Sequence, residues 1–438
     1  MIPGVPDPWL LLVAAALPVA GALFVLVMPS ADRLALRYVG MGTSIAAGLA
    51  GLRSAWVAMG APISLDVAGA RLSLDGLSAP LLLSLAVATP IALRSGAPRI
   101  FERTQFYVVT VLFAEGLCAA ALVLDAPLLR LSVAVIAAVP FFALVALFGG
   151  PQRGTTTLSA AMIWLLVDVA ALAVIAWLAA RAGVSAPHAS VADLALAASK
   201  LPPAWKPWVF MVLAAPAFTR LAAGPFSVWL ASFLDQAPVS AAILAACGAA
   251  PLGAQMLVRI AIPSCAEGLL AILPWIAGVG ALSVALSGII AIGERDLRKL
   301  LAQLLQAAGA TAATTLCCLG DEAMAAGVIH VVTTGAAAGL VLAAVEAIER
   351  RYETRDAVEL AGLGQSTQLL ATFLIVGLLC LVGIPALGAG TTLWSAAAAV
   401  ASSPGLPGAG LSGVSNLVLA IALVAGAALA SAGVAAAA

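Results

Sequence analysis

From Pro8 to Ala31 the chain carries no charged side chain, and runs of this kind recur along its whole length. Nothing after Glu359 is charged: the last 79 residues hold no Asp, Glu, Lys or Arg. A helix needs about 20 apolar residues to cross a bilayer, so each run is long enough to span. Overall 63% of residues are hydrophobic, 9% are charged and the mean hydropathy is +1.15. A soluble domain has about 25% charged residues, and a fold this apolar could not cover its surface in water. Hydrocarbon satisfies no backbone polar group, so only helices and closed barrels span it. The runs lack the period-2 alternation of barrel strands, which leaves helices.

The reading is an all-α, polytopic membrane helix bundle. Thirteen spans are expected, at 8–28, 36–57, 76–95, 105–124, 128–149, 158–181, 206–234, 237–259, 268–292, 299–319, 323–345, 366–400 and 411–434. The seventh and twelfth are too long for one straight crossing. Each has Gly and Pro near its middle: Gly224-Pro225 in one, Gly383-Ile384-Pro385 in the other. Proline removes a backbone donor and clashes with the preceding turn. Broken helices at matching places in two halves point to an internal repeat and a transport path.

Positive residues orient such a chain. The odd-numbered loops and their helix ends hold 12 of the 20 Lys and Arg residues, the even-numbered side seven. The odd loops are therefore expected to be cytoplasmic and the N-terminus outside. Met1–Trp9 has no positive stretch, so the first run is expected to be a retained span and not a cleaved signal. Net charge is zero, which supplies no field for nucleic acid. The six cysteines show no paired metal spacing and are expected to pack inside helices. No phosphate-binding loop, dinucleotide fingerprint or HExxH is present, so no cofactor and no redox site are expected in this chain.

An ionisable side chain at mid-membrane costs at least ~2.5 kcal/mol and marks a candidate site. Four positions qualify: Glu115, Asp168, Arg220 and His330. One reading is a proton or ion relay. The plainer one is a buried ion pair that pins helices, and for His330 a packed, hydrogen-bonded imidazole. Arg220 favours neither, because arginine keeps its charge and passes no proton on.

Gly224-Pro225-Phe226-Ser227-Val228-Trp229-Leu230, followed by Gln236-Ala237-Pro238, resembles the broken-seventh-helix signature of the antiporter-like subunits of respiratory complex I. Relatives of that family occur in Mrp-type cation/proton antiporters, group 4 hydrogenases and inorganic-carbon accumulating complexes. Glu294–Ala302, the His330–Gly335 region, Thr354-Arg355-Asp356 through Leu363, and Gly383-Ile384-Pro385 resemble further family motifs in the same order. The resemblance covers about 105–400. It implies two inverted five-helix repeats, with helices 1–3 in 1–104, the first repeat in 105–262, the second in 263–405 and a last helix in 406–438. It also implies partners, namely other membrane subunits of a hetero-oligomeric complex in the inner (plasma) membrane.

The family's line of charge is largely lost here. The resemblance implies a fifth-helix glutamate, where this chain has Ala134 or Val135. The lysine positions fall on Arg220, Pro251, Ala338 and near Leu393. The three lysines, Lys200, Lys206 and Lys299, all lie at loops or helix ends. Two functions follow: an antiporter-like subunit with a degenerate relay through Glu115, Asp168, Arg220 and His330, or a non-conducting structural subunit of such a complex. Arg220 lies 14 residues from Lys206, about 21 Å along a helix, too deep to reach the interface. It should pair with an acid: Asp168 on the preceding helix first, Glu115 second.

Overall fold

The computed structural model describes residues 7–96, 100, 103–360, 362–382, 392, 394, 395, 397 and 398. In chain order these form α1 (Asp7–Val27), α2 (Arg33–Gly60), a hairpin of β1 (Ile63–Val67) and β2 (Ala70–Leu74), α3 (Ala79–Gly96), α4 (Thr104–Val123), α5 (Pro127–Phe148) and α6 (Arg153–Ala182). There follow α7 (Val191–Ser199), α8 (Lys206–Leu221), α9 (Leu230–Gln236), α10 (Val239–Leu244), α11 (Ala250–Met256), α12 (Ile262–Ser264), α13 (Ala266–Gly293), α14 (Leu297–Leu316), α15 (Asp321–Tyr352), α16 (Leu363–Ser366) and α17 (Gln368–Val382). Among the described residues eight helices are long and apolar enough to cross a membrane, or nine with the bent α8–α9 pair. The chain is a multi-pass membrane helix bundle. The expected thirteenth helix, most of the second half of the twelfth and the break at Gly383 and Pro385 lie outside the described residues.

The expected break at Gly224 and Pro225 is present. Helix α8 ends at Leu221, Ala222 turns left-handed at φ 54°, and a short 3-10 turn over Gly224–Ser227 leads into α9, bent by 45° from α8. The backbone groups this frees are met locally. Ala223 N–H donates to Phe218 C=O at 2.9 Å, and the Ser227 hydroxyl donates to Gly224 C=O at 2.8 Å. The Trp229 indole N–H donates to Thr219 C=O at 3.0 Å.

Helices α10, α11 and α12 join through two π-helical turns, Ala245–Ala249 and Leu257–Ala261, into one rod over Val239–Ser264. Each π-turn contains the carbonyl four residues before a proline, Cys247 for Pro251 and Arg259 for Pro263. A proline ring clashes with that carbonyl in a regular α-helix, and the wider π-turn relieves the clash without breaking the rod. The rod is the centre of the bundle: 89% of its most apolar stretch is buried, against 28% for α6 and for α13. Its small residues, among them Ala241, Ala242, Ala246, Gly248 and Ala249, let α3 and α15 approach closely.

Two elements add to the sequence reading. The β1–β2 hairpin turns through Ala68 and Gly69, both at positive φ as a two-residue hairpin requires. It joins the α4–α5 link, where Asp125 N–H donates to Arg71 C=O at 2.9 Å. Its sequence signal is the alternation of Ile63 and Leu65, and of Leu72 and Leu74, with polar residues on either side of Gly69. In the 182–207 connection α7 starts at a capping box between Ser190 and Asp193. Those hydrogen bonds hold the exposed Asp193 carboxyl below its ordinary pKa.

Helix α14 crosses the end of α8 at Gly309, where an added Cβ would stand 1.7 Å from Leu221 C=O. Gly309→Ala should therefore lower the stability of the purified membrane assembly by about 1–3 kcal/mol, the scale of overpacking. Gly278→Ala, whose Cβ would meet nothing within 4 Å, should be neutral or slightly stabilising. Thermal melting of the two variants side by side checks this.

Candidate functional site

Helix α6 places Trp164 and Asp168 one turn apart on its inner face, and both are buried. Helix α8 delivers Arg220 in its last turn, just before the break. The two meet as a fork: Arg220 Nη1 to Asp168 Oδ1 is 2.7 Å and Nη2 to Oδ2 is 2.8 Å. The side chains are 0% and 1% exposed, so neither charge reaches water. Nη1 also donates to Pro216 C=O at 3.3 Å, and the guanidinium lies 4.8 Å from the centroid of the Trp164 ring. Both oxygens of the acid are thus used, and the cation has a second, aromatic partner. Around them Phe141, Phe142, Trp164, Trp229 and Phe233 form one aromatic cluster, with Phe141 stacked on Trp164 at 5.4 Å and on Phe233 at 5.0 Å. On α11, Gly253 makes room, since a Cβ there would meet Arg220 Cβ at 2.9 Å.

The other two candidates stand apart from the pair. Glu115 on α4 faces α1–α3; its Oε1 accepts from the Ser44 hydroxyl at 3.0 Å. Its Oε2 has no hydrogen-bond partner among the described residues and borders a cavity of about 10 Å³, the size limit for one water. His330 on α15 is buried, with Nδ1 3.0 Å from Thr392 Oγ1; that hydroxyl is also 3.1 Å from Thr333 Oγ1. A cavity of about 40 Å³ lies between Arg220 and Thr334, one helical turn beyond His330. The structure thus brings Asp168 and Arg220 together and leaves Glu115 and His330 each with its own partner.

A second charged centre had no place among the sequence candidates. Arg298 at the start of α14 is buried; its Nε donates to Glu349 Oε1 at 2.7 Å, and its Nη2 lies 3.5 Å from Glu346 Oε2. Its Nη1 donates to Leu234 C=O at 3.2 Å and Ala237 C=O at 2.7 Å, the last carbonyls of α9 and its cap. Arg355 pairs with Asp235 and Asp296. Arg298, Glu346, Glu349, Arg355 and Asp235 line a polar cavity of about 800 Å³ with Arg103 and Arg153. Residues of five odd-numbered loops and their helix ends therefore gather at one end of the bundle. Glu346 was hidden in sequence because it sits one turn before Arg350-Arg351 and reads as a helix-end charge. The signal available was its apolar setting, Leu342-Ala343-Ala344-Val345.

Comparison with protein families matches residues 134–402 to the model described as NADH:quinone oxidoreductase/Mrp antiporter, transmembrane. Among solved structures, a chain of respiratory complex I from Thermus thermophilus with bound NADH superposes with a TM-score of 0.79 at 21% identity, covering 97% of this chain and 88% of that one. A chain of the membrane-bound sulfane sulfur reductase, an archaeal respiratory membrane complex, gives 0.79 at 16%, with coverage of 96% and 86%. A chain of the Mrp complex from Dietzia sp. gives 0.79 at 18%, with coverage of 98% and 80%. Comparison with curated proteins gives no significant match.

Removing one member of a buried pair strands the other charge at a cost of about 3–5 kcal/mol. Asp168→Ala should therefore sharply reduce the amount and melting temperature of the assembled protein. The double change Asp168→Leu with Arg220→Leu should be milder than Asp168→Leu or Arg220→Leu alone. A double-mutant cycle read by thermal melting checks it, and strict additivity would mean the pair carries no coupling.

Proposed function

The chain belongs to the NADH:quinone oxidoreductase/Mrp antiporter transmembrane family, and from that premise we propose that it fills an antiporter-like position in a multi-subunit membrane assembly, with the Asp168–Arg220 pair as a fixed clamp. The observation that carries this is the fork itself: both carboxylate oxygens are engaged, both side chains are buried, and the cation is an arginine. A relay needs groups whose pKa values shift to meet the proton, and arginine stays charged. Glu115 and His330, which could titrate, lie outside the pair's hydrogen bonds.

In this reading the charge relay is degenerate, and the subunit holds its neighbours in place without completing a proton crossing of its own. Any redox chemistry belongs to partner chains. The chain sits in the inner (plasma) membrane with its N-terminus outside and its odd loops, with their charged cavity, on the cytoplasmic side. Repeats at 105–262 and 263–405 follow from the same reading. One observation favours the conducting alternative. The cavity of about 40 Å³ between Arg220 and Thr334 is large enough for water and would extend a path toward His330.

Proton flux through the reconstituted assembly separates the two. With the clamp reading, Asp168→Leu with Arg220→Leu leaves flux per assembled complex near that of the unaltered assembly, and Thr334→Val and His330→Phe do likewise. Loss of flux in these variants with assembly intact would establish the relay. Expressed without partner subunits, the chain should aggregate in detergent, since α6 and α13 expose broad apolar faces; a monodisperse, functional monomer would count against the subunit reading.

A further inference from the structure

We propose that a groove between α8, α13 and α14 holds one acyl chain of a zwitterionic phospholipid, seated against the break in the seventh span. The groove is lined by Trp208, Met211, Phe218, Phe226, Ile276 and Val279 among others. Its volume is about 400 Å³, and its lining includes the small residues Gly280 of α13 and Ala310 and Ala313 of α14. The one hydroxyl in the lining, on Thr314, already donates to Ala310 C=O at 2.8 Å. That leaves the indole N–H groups of Trp208 and Trp275 as the side-chain donors of an otherwise apolar lining.

A whole helix from a neighbouring subunit is too wide to lie inside the groove. The lining runs from Pro207 to Gly224, a rise of about 25 Å at 1.5 Å per residue. The space within the groove, about 1020 Å³ counted out to its open side, spread over that length gives about 40 Å² of cross-section. A helix with side chains is about 10–12 Å across and needs roughly 80 Å². One unbranched alkyl chain is the narrower occupant that follows such a channel.

The backbone at the break is prepared for hydrocarbon. Pro225 is exposed toward the groove and has no N–H to leave bare. Phe226 N–H donates to Ala223 C=O at 3.2 Å, and Gly224 C=O accepts from the Ser227 hydroxyl at 2.8 Å. Against hydrocarbon a backbone group must find its partner within the protein, and these two do.

The mouth of the groove indicates the headgroup. Lys206 and Glu267 form an ion pair where α8 and α13 begin, and the Glu267 side chain is 64% exposed. Trp208 and Trp275 stand on the same two helices, 74% and 75% exposed, as aromatic side chains do toward a membrane interface. Glu267 is the exposed member and Lys206, 11% exposed, is held behind it, so a headgroup that carries an ammonium meets a carboxylate at the mouth, whereas a purely anionic one is repelled by it.

The test uses the whole assembly, purified through a tag on this chain and reconstituted in vesicles. The vesicles contain ethanolamine phospholipid with a photoactivatable acyl chain, or the anionic glycerol phospholipid with the same chain. Cross-links mapped by peptide mass spectrometry should concentrate on the segments bearing Phe226, Trp275 and Val279 and favour the ethanolamine lipid. Val279→Trp, which fills the groove, should remove the concentration of labelling on these segments. Ile276→Phe is a milder filling change for use if Val279→Trp fails to assemble. Ile289→Trp, exposed on the same helix outside the groove, should leave labelling unchanged. Lys206→Met with Glu267→Gln should remove the headgroup preference and keep the acyl labelling. Labelling spread evenly over the lipid-facing helices, labelling indifferent to Val279→Trp and Ile276→Phe, or a cysteine at 279 cross-linking to another subunit would overturn the proposal.

Discussion

Hydrocarbon neither donates nor accepts hydrogen bonds, so a spanning helix that stops mid-membrane must satisfy its own backbone. Where α8 ends at Leu221, that requirement organises the surroundings. Trp229 and Ser227 turn back to carbonyls of the preceding turn, Ala222 adopts a left-handed conformation, and Pro225 removes a donor where the backbone faces outward. Helix α14 then crosses so close to Leu221 C=O that only glycine fits at 309. The same rule explains the central rod, where π-turns absorb Pro251 and Pro263 without opening the helix to lipid.

The charge pair depends on that break. Arg220 sits in the last turn of α8, about 21 Å along the helix from Lys206, and an unpaired cation buried there would be costly. Asp168 neutralises it, Trp164 covers it, and Trp164 belongs to a cluster of five aromatic rings. At the other end of the short α9, Arg298 holds the carbonyls of Leu234 and Ala237 while bound to Glu349. The second half of the broken span is thus tied at both ends by the indole of Trp229 and the guanidinium of Arg298. Such anchoring suits a fixed part better than a moving one.

Burial divides the helices by role. The rod around α10–α12 is enclosed, whereas α6 and α13 turn most of their surface outward. Asp168 is on one of those peripheral helices, so the pair stitches an outer helix to an inner one through charge where apolar packing offers little advantage over lipid. Small residues take the same role elsewhere: Gly335 on α15 lies against Ala246 of the rod, where an added Cβ would meet Ala246 C=O at 2.7 Å.

The membrane class, the approximate helix positions and the break at Gly224-Pro225 were determined by the sequence alone. Each depends on local chemistry: the length of an uncharged run, or a proline's missing donor. The sequence also narrowed the partner of Arg220 to two acids. Choosing Asp168 over Glu115 needed the tertiary structure, because the faces α4 and α6 turn inward are set by packing with several other helices at once. Glu115 turns to Ser44 on α2, far from α8 in sequence and in environment. For the same reason Glu346 and Arg298 read as ordinary helix-end charges until α14 and α15 came together around the end of α9. A helix's existence is written in neighbouring residues, but the direction a given side chain faces is decided by contacts tens to hundreds of residues away.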